Sequence, residues 1–125
     1  MKFKTWMLVV TVVAGVFGLA LIFVPGTVSA TYGVTADVGM RYMDQLFGAS
    51  LVAIALLCWF AQDAPESEAR AAIVRALVIF NGVALVVTLM AQLKGVMNAV
   101  GWSAVAIYLL LGLGWATFLR AKPAA

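Results

Sequence analysis

Apolar residues fall in four long runs along the chain, and polar or turn-forming residues collect between them. Trp6 to Val24 is 19 residues without a charge, stopped by Pro25-Gly26. A second run extends from Leu46 to Ala61, and its helix is expected to begin earlier, near Ala36, behind Thr35 as N-cap. The third runs from about Ile73 to Leu93 with Arg75 near its start, and the fourth from Val100 to Leu119. Crossing a bilayer takes about 20 mostly apolar residues. The pattern therefore predicts an all-α, four-transmembrane-helix bundle forming one domain over residues 1–125, with spans about 6–24, 42–61, 72–93 and 99–119.

Lysine and arginine placement sets the orientation of such a chain. Lys2, Lys4, Arg70, Arg75, Arg120 and Lys122 fall on one side, and only Arg41 and Lys94 on the other. Both termini are expected in the cytoplasm. The aromatic residues agree, with Trp6, Trp59 and Trp115 at the predicted inner ends and Tyr32, Tyr42 and Trp102 at the outer ends. Residues 1–30 also carry a signal-like layout: two lysines, an apolar stretch, and the small-x-small Val28-Ser29-Ala30. Against cleavage, the apolar stretch is longer than the roughly 7–15 residues of a signal core.

Composition narrows the chemistry. Of 125 residues, 66% are apolar and 10% charged, with a single cysteine and no histidine. A soluble domain of this size could not hide that much apolar surface, so the expected solvent is lipid. The missing histidine excludes bis-histidine haem and histidine-based nucleophilic triads, and removes most zinc sites. One cysteine, Cys58, excludes internal disulfides and paired-cysteine redox chemistry. No catalytic residue, metal site or cofactor is expected. The net charge of +3 comes from basic groups at span ends, which suit anionic lipid rather than nucleic acid.

Several polar positions remain as candidates. In the link before the third span, Asp63 with Ala64-Pro65-Glu66 fits an acidic N-cap and a first-turn proline, and Glu66 and Arg70 have the i, i+4 spacing of a favourable pair. In the second span Asp37, Arg41, Asp44 and Gly48 form one stripe, along which Asp37–Arg41 and Arg41–Asp44 can pair. In the third, Asn81, Thr88 and Gln92 share a face. The outer ends of these two helices bring together a candidate ligand or partner cluster of Arg41, Asp44, Gln45, Gln92, Lys94 and Asn98. It reads either as a polar pocket or as an interfacial salt-bridge set. Asn81 and Thr88 are expected to make polar contacts between helices. No carboxylate lies in mid-membrane, which argues against a proton-coupled pump.

Small residues four apart supply close-packing faces at Ala14/Gly18, Ala49/Ala53 and Gly112/Ala116. The first and fourth spans have almost no polar side chains, so they are the expected lipid- or partner-facing helices. The outer loop, Gly26 to about Thr35, either lies on the bilayer or reaches back to the bundle.

Phe23-Val24-Pro25 ends the first span, Arg41 and Gly48 enter a second that ends in Trp59-Phe60, Arg70 and Arg75 open the third, and Gly101-Trp102 opens the fourth. This layout resembles the DoxX-like group of small bacterial four-helix membrane proteins. The resemblance implies a multi-pass protein of the bacterial inner membrane, and accessory association with quinone-linked oxidoreductases. The expected function is a non-catalytic accessory or scaffolding subunit. It would pack against other membrane-protein subunits or itself, with membrane lipids as further partners. The alternative is binding or transport of a small lipophilic molecule, a quinone or lipid, at the outer polar cluster.

Overall fold

The computed structural model describes residues 1–119, and these contain helices and no strands. In chain order they form α1 (Phe3–Phe23), α2 (Pro25–Thr31), α3 (Val38–Phe60), α4 (Glu68–Leu93) and α5 (Gly101–Ala116). Three helices, α1, α3 and α4, are long and apolar enough to cross a membrane. At 16 residues α5 is apolar but shorter, because the chain after Ala116 tightens into turns in which Phe118 N donates to Trp115 O and Leu119 N to Ala116 O. Arg120 and Lys122, used above for orientation, lie outside the described residues.

The helix boundaries have local causes. Pro25 has no N–H to offer the carbonyl of Leu21, so α1 ends there. The same proline then opens α2, where the missing donor costs nothing. Gly33 ends α2, with φ +76°, while its N–H reaches Ala30 O and that of Val34 reaches Ser29 O. Gly95 repeats this at the end of α4, with φ +75° and bonds from Gly95 N to Gln92 O and Val96 N to Ala91 O. Both are Schellman ends, which need a residue in the left-handed region.

Two expected caps move. Asp37, not Thr35, caps α3, its carboxylate accepting Met40 N–H at 2.8 Å. Ser67, not Asp63, caps α4, its hydroxyl accepting Arg70 N–H at 3.2 Å. In each case the cap is the extended residue three before the amide it receives, a position Thr35 and Asp63 do not occupy. Asp63 instead pairs with Lys4 at 3.0 Å, holding the start of α1 to the α3–α4 link. Asp37→Ala should therefore lower stability by about 1 kcal/mol, and Thr35→Ala by a few tenths at most. Thermal unfolding of both variants in one detergent checks this, and equal losses would contradict it.

The helices are arranged as two pairs. α1 packs along α3, and α4 along α5, while backbone contact between the pairs is sparse. Buried positions on α1 are Phe3, Met7, Val10, Ala14, Gly18 and Leu21, joined by Trp6, an alternating three–four spacing that keeps one seam on a neighbouring helix. On α3 the matching seam is Gly48, Leu51, Ala55 and Cys58. Thr11 adds a polar tie, donating to Ala55 O at 3.2 Å across the pair and to Met7 O within α1. The small-residue contact is thus Gly18 against Gly48, with Gly15 beside Ala55, whereas Ala49 and Ala53 are exposed. α1 is the most buried of the three long helices, yet Val12, Val16 and Leu19 remain exposed on its other face.

Side chains join the pairs at both ends. Near the termini Trp6 meets Trp115 edge to face at 5.9 Å, Phe3 meets Phe118 at 5.5 Å, and the Arg70 guanidinium sits 3.7 Å from the centre of the Phe3 ring. Trp6 and Trp115, expected at the inner ends of their spans, are 8% and 0% exposed and pack in the core there. Their indoles span the gap between pairs that small side chains could not fill. At the other end, Asn98 N donates to Tyr32 O at 2.9 Å and Asn98 Nδ2 to Thr31 O at 3.2 Å. That clasp fixes α2 to the α4–α5 link.

Candidate functional site

Held apart between the two clasps, the helix pairs border a partly open cavity of about 330 Å³. Its wall is mainly aliphatic and aromatic, including Phe17, Phe47, Leu51, Phe80, Ile107 and Leu111. Trp115 lies at the end near the termini, and Val28, Ser29 and Tyr32 line it at the α2 end. The segment 26–35 thus reaches back onto the helices, as a short helix carrying Ser29 inward.

A few polar groups interrupt this wall: Ser29, Tyr32, Asp44, Asn81, Thr88 and Tyr108. Ser29 is 7% exposed, and its hydroxyl donates to Asp44 Oδ2 at 2.9 Å. Asn81, 3% exposed, donates from Nδ2 to Leu77 O one turn earlier at 2.8 Å, and its Oδ1 has no partner among the described residues. The amide orientation is forced, since turning it would set two oxygens against each other. A buried acceptor without a donor costs on the order of 1–3 kcal/mol. Gly112 of α5 faces Asn81, a Cβ there lying 3.5 Å from that of Asn81. Tyr108 meets Phe80 edge to face at 6.3 Å.

The six-residue outer cluster divides into separate sets. Asp44 lines the cavity, but Arg41 on the same helix does not, and its Nε donates to Ala36 O at 3.2 Å. Neither Asp37–Arg41 nor Arg41–Asp44 forms an ion pair, because Asp37 serves as cap and Asp44 takes Ser29. Gln45 Nε2 donates to Ile22 O at 3.0 Å, satisfying a carbonyl freed where α1 breaks at Pro25. Gln92 Nε2 donates to Asn98 O at 3.0 Å within the α4–α5 link, and Lys94 is the exposed C-cap of α4, where a cation complements the helix dipole. Asn81 and Thr88 do share the cavity wall, though the hydrogen bond of Asn81 stays inside α4 and does not cross to another helix.

Ser29, Tyr32 and Tyr108 are cavity residues that the sequence pattern did not single out as a site. Ser29 was open to discovery, because Pro25 and Gly33 frame a seven-residue helix by the usual proline-first, glycine-last rule. Tyr108 had no such signal, since α5 is apolar nearly all round. Comparison with known proteins adds no assignment: no family model, curated protein or solved structure matches the chain.

Proposed function

We propose that this chain is a four-span protein of the bacterial inner membrane, with cytoplasmic termini, that binds a small lipophilic molecule in the cavity between its two helix pairs. The reading is non-catalytic. The observation that carries it is the cavity itself, about 330 Å³ of mostly apolar space with a few polar groups on its wall. That volume lies within the roughly 300–1,000 Å³ of small-molecule sites. The termini lie on one side in this reading, supported by the Lys4–Asp63 pair and the Phe3–Phe118 contact at that end.

Titration calorimetry with a short-chain neutral quinone, on protein purified in a maltoside detergent, tests the proposal. Saturable binding near one molecule per chain is expected. Ala91→Phe with Ala104→Phe, both on the wall, should weaken it at least about tenfold by filling the space. Unchanged affinity in a folded double variant would remove the cavity from the account.

An accessory-subunit role is a second reading, favoured by one observation. Ile79, Val83, Val86 and Met90 make an exposed apolar stripe on α4, each more than half exposed. Lipid alone also covers such a face. A strictly monomeric protein that co-purifies with no other chain would count against the subunit role and leave the binding role intact.

A further inference from the structure

We infer that the ligand of this cavity is a lipophilic cation, with Asp44 as its counter-charge; this rests on the cavity being a binding site. Asp44 carries the only formal charge among the described residues that line it. It takes part in neither the Lys4–Asp63 nor the Arg75–Glu68 ion pair. Arg41, one turn away, is turned toward Ala36 O and the Gly26 backbone. Ser29 supplies one hydroxyl to Oδ2, which orients the carboxylate without neutralising it. A half-buried carboxylate against apolar walls favours a cation that brings its own apolar surface.

The rest of the wall fits the same chemistry. Phe17, Tyr32, Phe47, Phe80 and Tyr108 are among the lining residues, and aromatic rings attract cations that lie over their faces. Among the described residues no lysine or arginine lines it, so a fatty-acid carboxylate or a phospholipid phosphate has no cationic partner among them. A hydrophobic amine or quaternary onium ion satisfies both features. A neutral quinone satisfies only the apolar one.

Tetraphenylphosphonium and tetraphenylborate test this, because they share a shape and differ in the sign of the charge. Titrated into the purified protein in an uncharged detergent, with empty micelles as blank, the cation should bind at least about tenfold tighter than the anion. Asp44→Asn should lower cation affinity about tenfold and leave neutral-quinone affinity unchanged, whereas Asp44→Glu should retain the preference. Equal binding of the two ions by the native protein overturns the inference, whether or not the variants fold. If the neutral quinone binds and the cation is not preferred, the cavity reading stands and the charge assignment fails. If none of the three binds, both fail.

Discussion

Gly48→Ala should lower the unfolding free energy of the protein in detergent by roughly 2–3 kcal/mol, toward the upper part of what overpacking a helix contact costs. A Cβ at Gly48 would stand 2.6 Å from Gly18 O and 2.9 Å from the Leu21 Cβ, and one at Gly18 would stand 2.8 Å from Gly48 O. Two backbones meet at this point. Neither can turn aside as a side-chain tip could, so α1 and α3 would have to separate along a seam that also holds Ala14, Leu51 and Ala55. Gly82→Ala provides the opposite case, because nothing lies within 4 Å of a Cβ there and the residue is mid-helix on α4. That change should stabilise by about 0.5–1 kcal/mol through helix propensity alone. Reversible unfolding of both variants in mixed micelles compares them. The same sign for the two would defeat the close-contact argument.

Trp115→Ala should cost about 3 kcal/mol or more, within the range for truncating a buried tryptophan. Trp115 is fully buried and touches Trp6 across the gap between the helix pairs. Lipid solvates apolar groups nearly as well as a protein core does, so the loss is mainly one of packing rather than of hydrophobic transfer. What packs here is the join itself. A Cβ at Gly114 would collide with the Trp6 ring, so the indole of Trp6 is seated directly on the α5 backbone. Losing the Trp115 side of that contact should loosen α4–α5 from α1–α3 and extend the cavity toward the termini. A double-mutant cycle of Trp6→Ala and Trp115→Ala should show a coupling of about 0.5–1.5 kcal/mol, the worth of an edge-to-face pair. Strict additivity would mean that the two indoles act independently.

Much of the helical content could be read from residue order. The apolar runs place both ends of α1 and the C-terminal ends of α3 and α4 within a few residues, since a helix that must satisfy every backbone group internally needs only length and apolarity. The starts of α3 and α4 extend past those runs into polar residues. The caps were less legible. Thr35 and Asp37 are both good N-cap residues two positions apart, and only the turn of the chain after Gly33 selects Asp37. The candidate site was partly legible: the stripe through Asp44 and Gly48 does face inward, and Asn81 and Thr88 do share a wall. Arg41, Gln45, Gln92, Lys94 and Asn98 could not be sorted in advance. Each has a backbone carbonyl or a helix end within reach, and spacing along one helix does not say which a flexible side chain will choose.

Residue order by itself determined that the chain is helical and built for lipid, and that histidine and paired-cysteine chemistry are closed to it. These follow from composition and period, which need no partner to be expressed. Tertiary structure alone decided that the helices form two pairs and that Trp6 and Trp115 join those pairs. It alone left a cavity between them. Pairing is set where glycine lets two backbones touch, as at Gly18 and Gly48, and separation where bulky indoles hold them apart, as at Trp6 and Trp115. Both are properties of contact between distant parts of the chain. Whether a carboxylate such as Asp44 faces a cation, a cap or an open space is settled by the same contacts, and here it faces the space.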